Sequence, residues 1–130
     1  MAESITKESL NKRIRNRIIE YLEWVSSENE VLLYQIKVPH VNISNEIFNQ
    51  WDDWITESIF SESNYPESIY TEEERNAMKS FHQTWEVTVE KVPLYILTDN
   101  FIKTKEYHQI SAAAATTLSV FMKRGKLLED

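Results

Sequence analysis

The chain contains no cysteine, which excludes disulfides, thiolate metal sites and cysteine nucleophiles. Glycine occurs once, as Gly125. Phosphate-cradling loops and oxyanion turns need glycines, because only glycine lets backbone N–H groups approach a ligand without steric cost. A single glycine builds neither a Walker loop nor a dinucleotide fingerprint. The three histidines, His40, His82 and His108, are far apart, and none has a glutamate three residues upstream. The chain also lacks an HExxH pair and an EF-hand loop, so neither a metal nor another cofactor is expected, and no catalytic residue is assigned. Enzymatic activity therefore has no motif behind it. Strands are missing too: VEKVPLYIL comes nearest to an extended run, and Pro93 interrupts it.

The last absence is of one charge sign. Residues 38–74 contain nine acids and not one Lys or Arg. Residues 1–37 balance six acids with six bases, and residues 75–130 carry eight bases against six acids, so the net charge of −7 belongs to the middle of the chain. Such a segment repels nucleic acid and suits a cationic partner. Sixteen residues from Tyr107 to Met122 lack any charge. They are too short, and too rich in Ser, Thr and Gln, to span a membrane. The N-terminus, MAESITKESLNK, has no apolar signal-peptide core, and the expected compartment is the cytoplasm.

What is present reads as helix. Hydrophobic residues make up 42% of the chain, with four Trp, six Tyr and five Phe, enough for a core at this length. Leu10, Ile14, Ile18, Tyr21, Leu22 and Val25 share one face of a first helix from Thr6 to Val25. Lys12, Arg13, Arg15 and Arg17 are expected on its solvated flanks, with Ile19 and Trp24 off the core face. Ser27 to Glu30 forms a capping box for a short second helix that Pro39 ends. Ser44 or Asn45 is expected to cap a third helix over 45–60, whose core face is Ile47, Phe48, Trp51, Trp54, Ile55 and Ile59. Thr71 to Glu74 is a second capping box, opening a fourth helix with Met78, Phe81, Trp85, Val89 and Val92 inward. His82 lies at the edge of that face and is expected to be satisfied and partly buried. The last helix, kinked or broken near Lys103–Lys105, presents Tyr107, Ile110, Ala114, Leu118 and Phe121. Its alanines allow close approach, so Ala114 should be buried and Ala112, almost opposite, exposed. Gly125 is expected in the left-handed closing position.

One internal echo is visible. KVPHVNISNEIF (37–48) and KVPLYILTDNFI (91–102) align without gaps, each linking the end of one helix to the cap of the next. On that analogy Thr98 or Asp99 would cap the last helix, with the kink or break near Lys103–Lys105 falling after that cap.

Together these features predict an all-α fold: a single domain over residues 1–130, five or six helices bundled around the uncharged C-terminal helix. On the third helix, Glu46, Asp53 and Glu57 align opposite the core face. Glu62, Tyr65, Glu67 and Tyr70 follow in a loop broken by Pro66. Tyrosines among acids suit a wet protein interface, so these seven residues form the expected binding surface for a basic protein partner. In composition alone the chain is similar to immunity proteins, small acidic helical inhibitors of basic nuclease toxins. The alternatives are a helical bundle with a small-molecule or catalytic pocket lined by the tryptophans, and a subunit whose exposed apolar residues Ile19, Trp24 and Val87 make homo-oligomer contacts.

Overall fold

The computed structural model of the chain describes residues 7–54 and 69–129. Six helices follow one another, with no strand among the described residues: α1 (Lys7–Val25), α2 (Glu28–Lys37), α3 (Ile43–Trp54), α4 (Glu72–Val89), α5 (Thr98–Phe101) and α6 (Lys105–Phe121). The all-helical expectation holds, and Ser27 and Thr71 both cap helices. Only Thr71 to Glu74 is a full capping box, since the Ser27 N–H goes to the Trp24 carbonyl and not to Glu30. Ser27 accepts the Glu30 backbone N–H. Thr71 accepts that of Glu74, whose carboxylate reaches back to the Thr71 N–H. Each satisfies donors that a bare helix end would leave unpaired.

Helix α6 packs against α4 on one side and α1 on the other. Tyr107, Ile110, Ala114, Thr117 and Phe121 are buried, while Ala112 is exposed, as the helical wheel required. Its uncharged surface is wider than its buried one, because Ala115 and Met122 also face solvent. Thr104 caps it with its hydroxyl, after the predicted break from α5. Past Phe121 the chain takes one tight turn, and Gly125 closes it at φ +75°, its N–H bonded to the Phe121 carbonyl at 2.9 Å.

Several expectations fail for physical reasons. Leu10 is 47% exposed, whereas Ile19 is fully buried, so the core face of α1 is rotated towards Ile19 and away from Leu10. That removes Ile19 as an oligomer contact. Helix α3 begins two residues earlier than predicted, at Ile43, because the Asn42 side chain, rather than Ser44 or Asn45, accepts the Asn45 N–H at 3.0 Å. Its expected continuation to residue 60, with Ile55 and Ile59, lies outside the described residues. Neither Thr98 nor Asp99 caps α5; Leu97 holds that position without a side-chain bond. The Thr98 hydroxyl instead donates to the Gln35 side chain.

The two KVP connectors meet in space, and part of their sequence echo extends to burial. The Asn42 amide donates to the Ile96 carbonyl at 3.4 Å, and the Phe48 and Phe101 rings meet edge-on at 6.1 Å. Equivalent positions match in burial at Ser44 and Thr98, Ile47 and Phe101, and Phe48 and Ile102. Gln35 ties the connectors together, donating to the Val38 and Val41 carbonyls while accepting from Thr98.

Arg15, expected in solvent, is fully buried. Its guanidinium makes two bonds to the Glu74 carboxylate, at 3.2 and 2.8 Å. Arg124 makes a second two-pronged contact with the same carboxylate, at 3.1 and 2.7 Å. Both arginines also donate to main-chain carbonyls, Arg15 to Gly125 at 2.7 Å and Arg124 to Ile69 at 2.7 Å. The C-terminal strand of chain is then laid along α1. Asn16 exchanges both amide bonds with the Leu127 backbone, at 2.7 and 2.9 Å, and Arg17 binds Glu129 at 2.7 Å.

Burial alone would raise the Glu74 pKa, but the hydrogen bonds from Arg124 and Arg15, with the Arg15 charge, outweigh it and hold the carboxyl below its ordinary value of 4.5. A depressed carboxyl contributes stability that is complete above the unfolded value and is lost as pH falls through the folded one. Wild-type stability should therefore drop steeply below about pH 4.5. Glu74→Gln should be less stable at neutral pH, and the two stabilities should converge on acidification. Urea unfolding across a pH series measures this; parallel curves would show that Glu74 does not titrate with folding.

Candidate functional site

Helices α1, α2 and α3 enclose an open groove of about 390 Å³. Helix α1 contributes Arg17, Glu20, Tyr21 and Trp24, α2 contributes Glu30 and Tyr34, and α3 contributes Gln50 and Trp54. The aromatic wall is continuous. Tyr21 meets Trp54 edge-on at 5.3 Å and Trp24 at 6.2 Å, and Trp24 lies 5.0 Å from Tyr34. Edge-on and tilted contacts of this sort suit the ring quadrupoles. The Tyr21 hydroxyl donates to the Ile47 carbonyl at 2.6 Å, which fixes the middle of the wall. Burial pushes the Tyr21 phenol well above its usual pKa, so it remains a donor. The Trp24 indole N–H is buried without an acceptor, an uncommon state for a polar atom in a folded protein.

The charges around the groove differ in kind. Arg17 bonds Glu20 at 3.1 Å and Glu129 at 2.7 Å, and Glu20 also binds Lys126 at 2.9 Å. This corner is neutralised from within. Glu30 is exposed and has no ion pair among the described residues. Gln50 joins the groove to the acidic stripe, donating to Glu46 at 3.3 Å. Glu46 is half-buried and Asp53 exposed, and neither meets a cation among the described residues.

Of the seven residues predicted as a binding surface, Glu46 and Asp53 lie on α3, and Glu46 is tied to the groove by its bond from Gln50. Glu57, Glu62, Tyr65 and Glu67 lie outside the described residues. Tyr70 does not belong to any surface: it is fully buried, its ring edge-on to Phe121 at 6.3 Å. The residue before the Thr71 cap is held down there, with the Tyr70 carbonyl accepting from Arg75 at 2.7 Å. Sequence reasoning missed Tyr34 and Glu30 altogether. Trp24, off the α1 core face, was the available signal; what it touched depended on how α2 folds back.

The other chemically suggestive groups are structural. The Trp51 indole donates to His82 Nδ1 at 3.0 Å, so the His82 proton sits on Nε2, 3.1 Å from Glu86. Trp85 stacks on the imidazole at 5.3 Å and donates to the Phe48 carbonyl at 3.0 Å. His82 is a satisfied, partly buried histidine, as expected. A second cleft of about 450 Å³ lies between α4 and α6, bounded by Ser80, Gln83, Thr84, Val87, Thr88 and Gln109, with no charged group among the described residues that line it. Among the described residues no three His, Asp or Glu side chains cluster to hold a metal, and no helix is long and apolar enough to cross a membrane.

The contrast between the two indoles is testable. Trp51→Phe strands the His82 acceptor and shrinks a fully buried ring, and should cost about 2 kcal/mol or more. Trp24→Phe keeps a ring in the wall and removes a donor that has no partner, so it should cost under about 1 kcal/mol. Urea unfolding of both variants decides; equal losses would mean that the Trp24 N–H is satisfied.

Comparison of the chain with protein-family models, with curated proteins and with solved structures returns no match.

Proposed function

We propose that this chain is a small acidic binding protein that engages a basic protein partner, and that the partner's Lys or Arg side chains enter at the groove between α1, α2 and α3. The observation that carries the reading is the pairing of a half-buried aromatic wall with carboxylates that have no counter-ion among the described residues, Glu30, Glu46 and Asp53. A cation over an aromatic face is attracted by the ring quadrupole, by about 0.5–2 kcal/mol depending on desolvation. Carboxylates nearby add encounter rate and register. The unpaired Trp24 N–H offers a bond that a partner carbonyl can take after a small shift of the ring. The narrower form of the proposal is an immunity-like inhibitor that covers the cationic site of its partner in the cytoplasm, which the similarity in composition supports. A small polar ligand in the α4–α6 cleft is the second reading, favoured by its five hydroxyl and amide side chains.

The test is kinetic. With a basic partner isolated on the immobilised chain, Glu30→Lys combined with Asp53→Lys should slow association about tenfold or more, and high salt should weaken the wild-type complex. Neither substitution touches the core, so the fold should hold, with a small drop in melting temperature because Glu30→Lys reverses a favourable charge in the first turn of α2. Unchanged association and no salt dependence would assign the acidic face to solubility alone.

A further inference from the structure

The end of the molecule where α2 meets the second KVP connector is apolar and exposed. Ile36 is 74% exposed, Leu94 77%, Tyr95 75% and Leu97 71%, with Leu33 one turn before Ile36 at 44%. These segments are held side by side by the Gln35–Thr98 bond, by Asn42 to Ile96 and by the packing of α2 on α5. The first connector provides an internal control. At the positions of Leu94 and Leu97 it has His40, a polar exposed residue, and Ile43, which is fully buried. The second connector thus leaves apolar groups in water where its counterpart does not. Tyr95 adds a second sign, because it is the only residue other than glycine with positive φ among the described residues, at 62°. A bulky side chain is rarely held there, and such strain concentrates where a surface is used.

We propose that this end is the contact between two copies of the chain. Taking about 200 Å² for each large side chain in full, the five leave roughly 700 Å² in water, beyond the ordinary patch of a monomer. Two copies would then cover roughly 1,400 Å², inside the range of specific interfaces. Charge points to the same occupant. Each copy carries −7 overall, yet residues 31–41 hold only Lys37 and residues 89–98 only Glu90 and Lys91. Two acidic chains meet here with the least repulsion. The patch shares no residue with the groove, whose α2 residues are Glu30 and Tyr34.

Sedimentation analysis of the full chain from micromolar to millimolar concentration tests the proposal. The expected result is a shift from 15.4 kDa to twice that mass, promoted by added salt because screening relieves like-charge repulsion. Capture of a basic partner would respond to salt in the opposite sense, so the two readings fail separately. Leu94→Asp with Leu97→Asp should abolish the two-chain species while leaving the circular dichroism unchanged. Ile36→Lys, on the other element, should do the same, and Val87→Asp on α4 should leave association intact. A single-chain mass throughout would overturn the proposal, as would a dimer that survives both patch variants.

Discussion

The carboxylate of Glu74 sits between two guanidinium groups, and most of the tertiary structure depends on that arrangement. It belongs to the first turn of α4, Arg15 to the middle of α1 and Arg124 to the turn after α6, so one side chain joins the three helices that form the main layer. Arg15 cannot be left in this position alone. An unpaired guanidinium in the interior costs several kcal/mol, which is why its other protons end on the carbonyls of Phe121 and Gly125, where the helix dipole is negative. The Arg15 plane also lies 5.0 Å over the Phe121 ring, adding a cation–π contact. Gly125 is needed because the chain must reverse at positive φ to offer its carbonyl to Arg15. The sole glycine and the most buried charge therefore belong to one device.

That device explains what could and could not be read from the sequence. Helix positions follow from local signals: caps at Ser27 and Thr71, apolar spacing along α3 and α4, prolines between elements. All of these act within a few residues. Arg15 and Glu74 are 59 residues apart, and nothing local separates the buried arginine from its neighbours Arg13, which is half-buried, and Arg17, which is exposed. The wheel of α1 was misread at Leu10 and Ile19 for the same reason, since its true inward face is set by Glu74 and by α6. Tyr70 shows the error in reverse. Its acidic neighbours suggested a wet surface, but the residue preceding a helix cap packs inward when the helix it precedes is anchored by a buried ion pair.

The groove was half legible. Glu46 and Asp53 were placed by the period of α3, whereas Trp54 was expected in the core and is instead half-buried on the groove wall. Tyr34 and Glu30 depend on the angle at which α2 returns along α1, which Ser27 starts but does not determine. The resulting surface has two characters: aromatic rings beside carboxylates without a counter-ion among the described residues, and apolar side chains with little charge at the end of α2. The first responds to cations and is weakened by salt. The second responds to apolar area and is strengthened by it. A protein with both can pair with itself without covering its acidic face.

The dependence of the fold on the Arg15–Glu74 pair is measured most directly by a double-mutant cycle in urea. Glu74→Leu alone should cost about 3–5 kcal/mol, because it strands Arg15 in the core, while Arg124 is partly exposed and can turn to water. Adding Arg15→Met should return at least about 1 kcal/mol, since the double variant no longer buries an unpaired charge. Additive losses to within about 0.5 kcal/mol would show the two residues to be energetically independent, and would contradict the role given to Glu74 here.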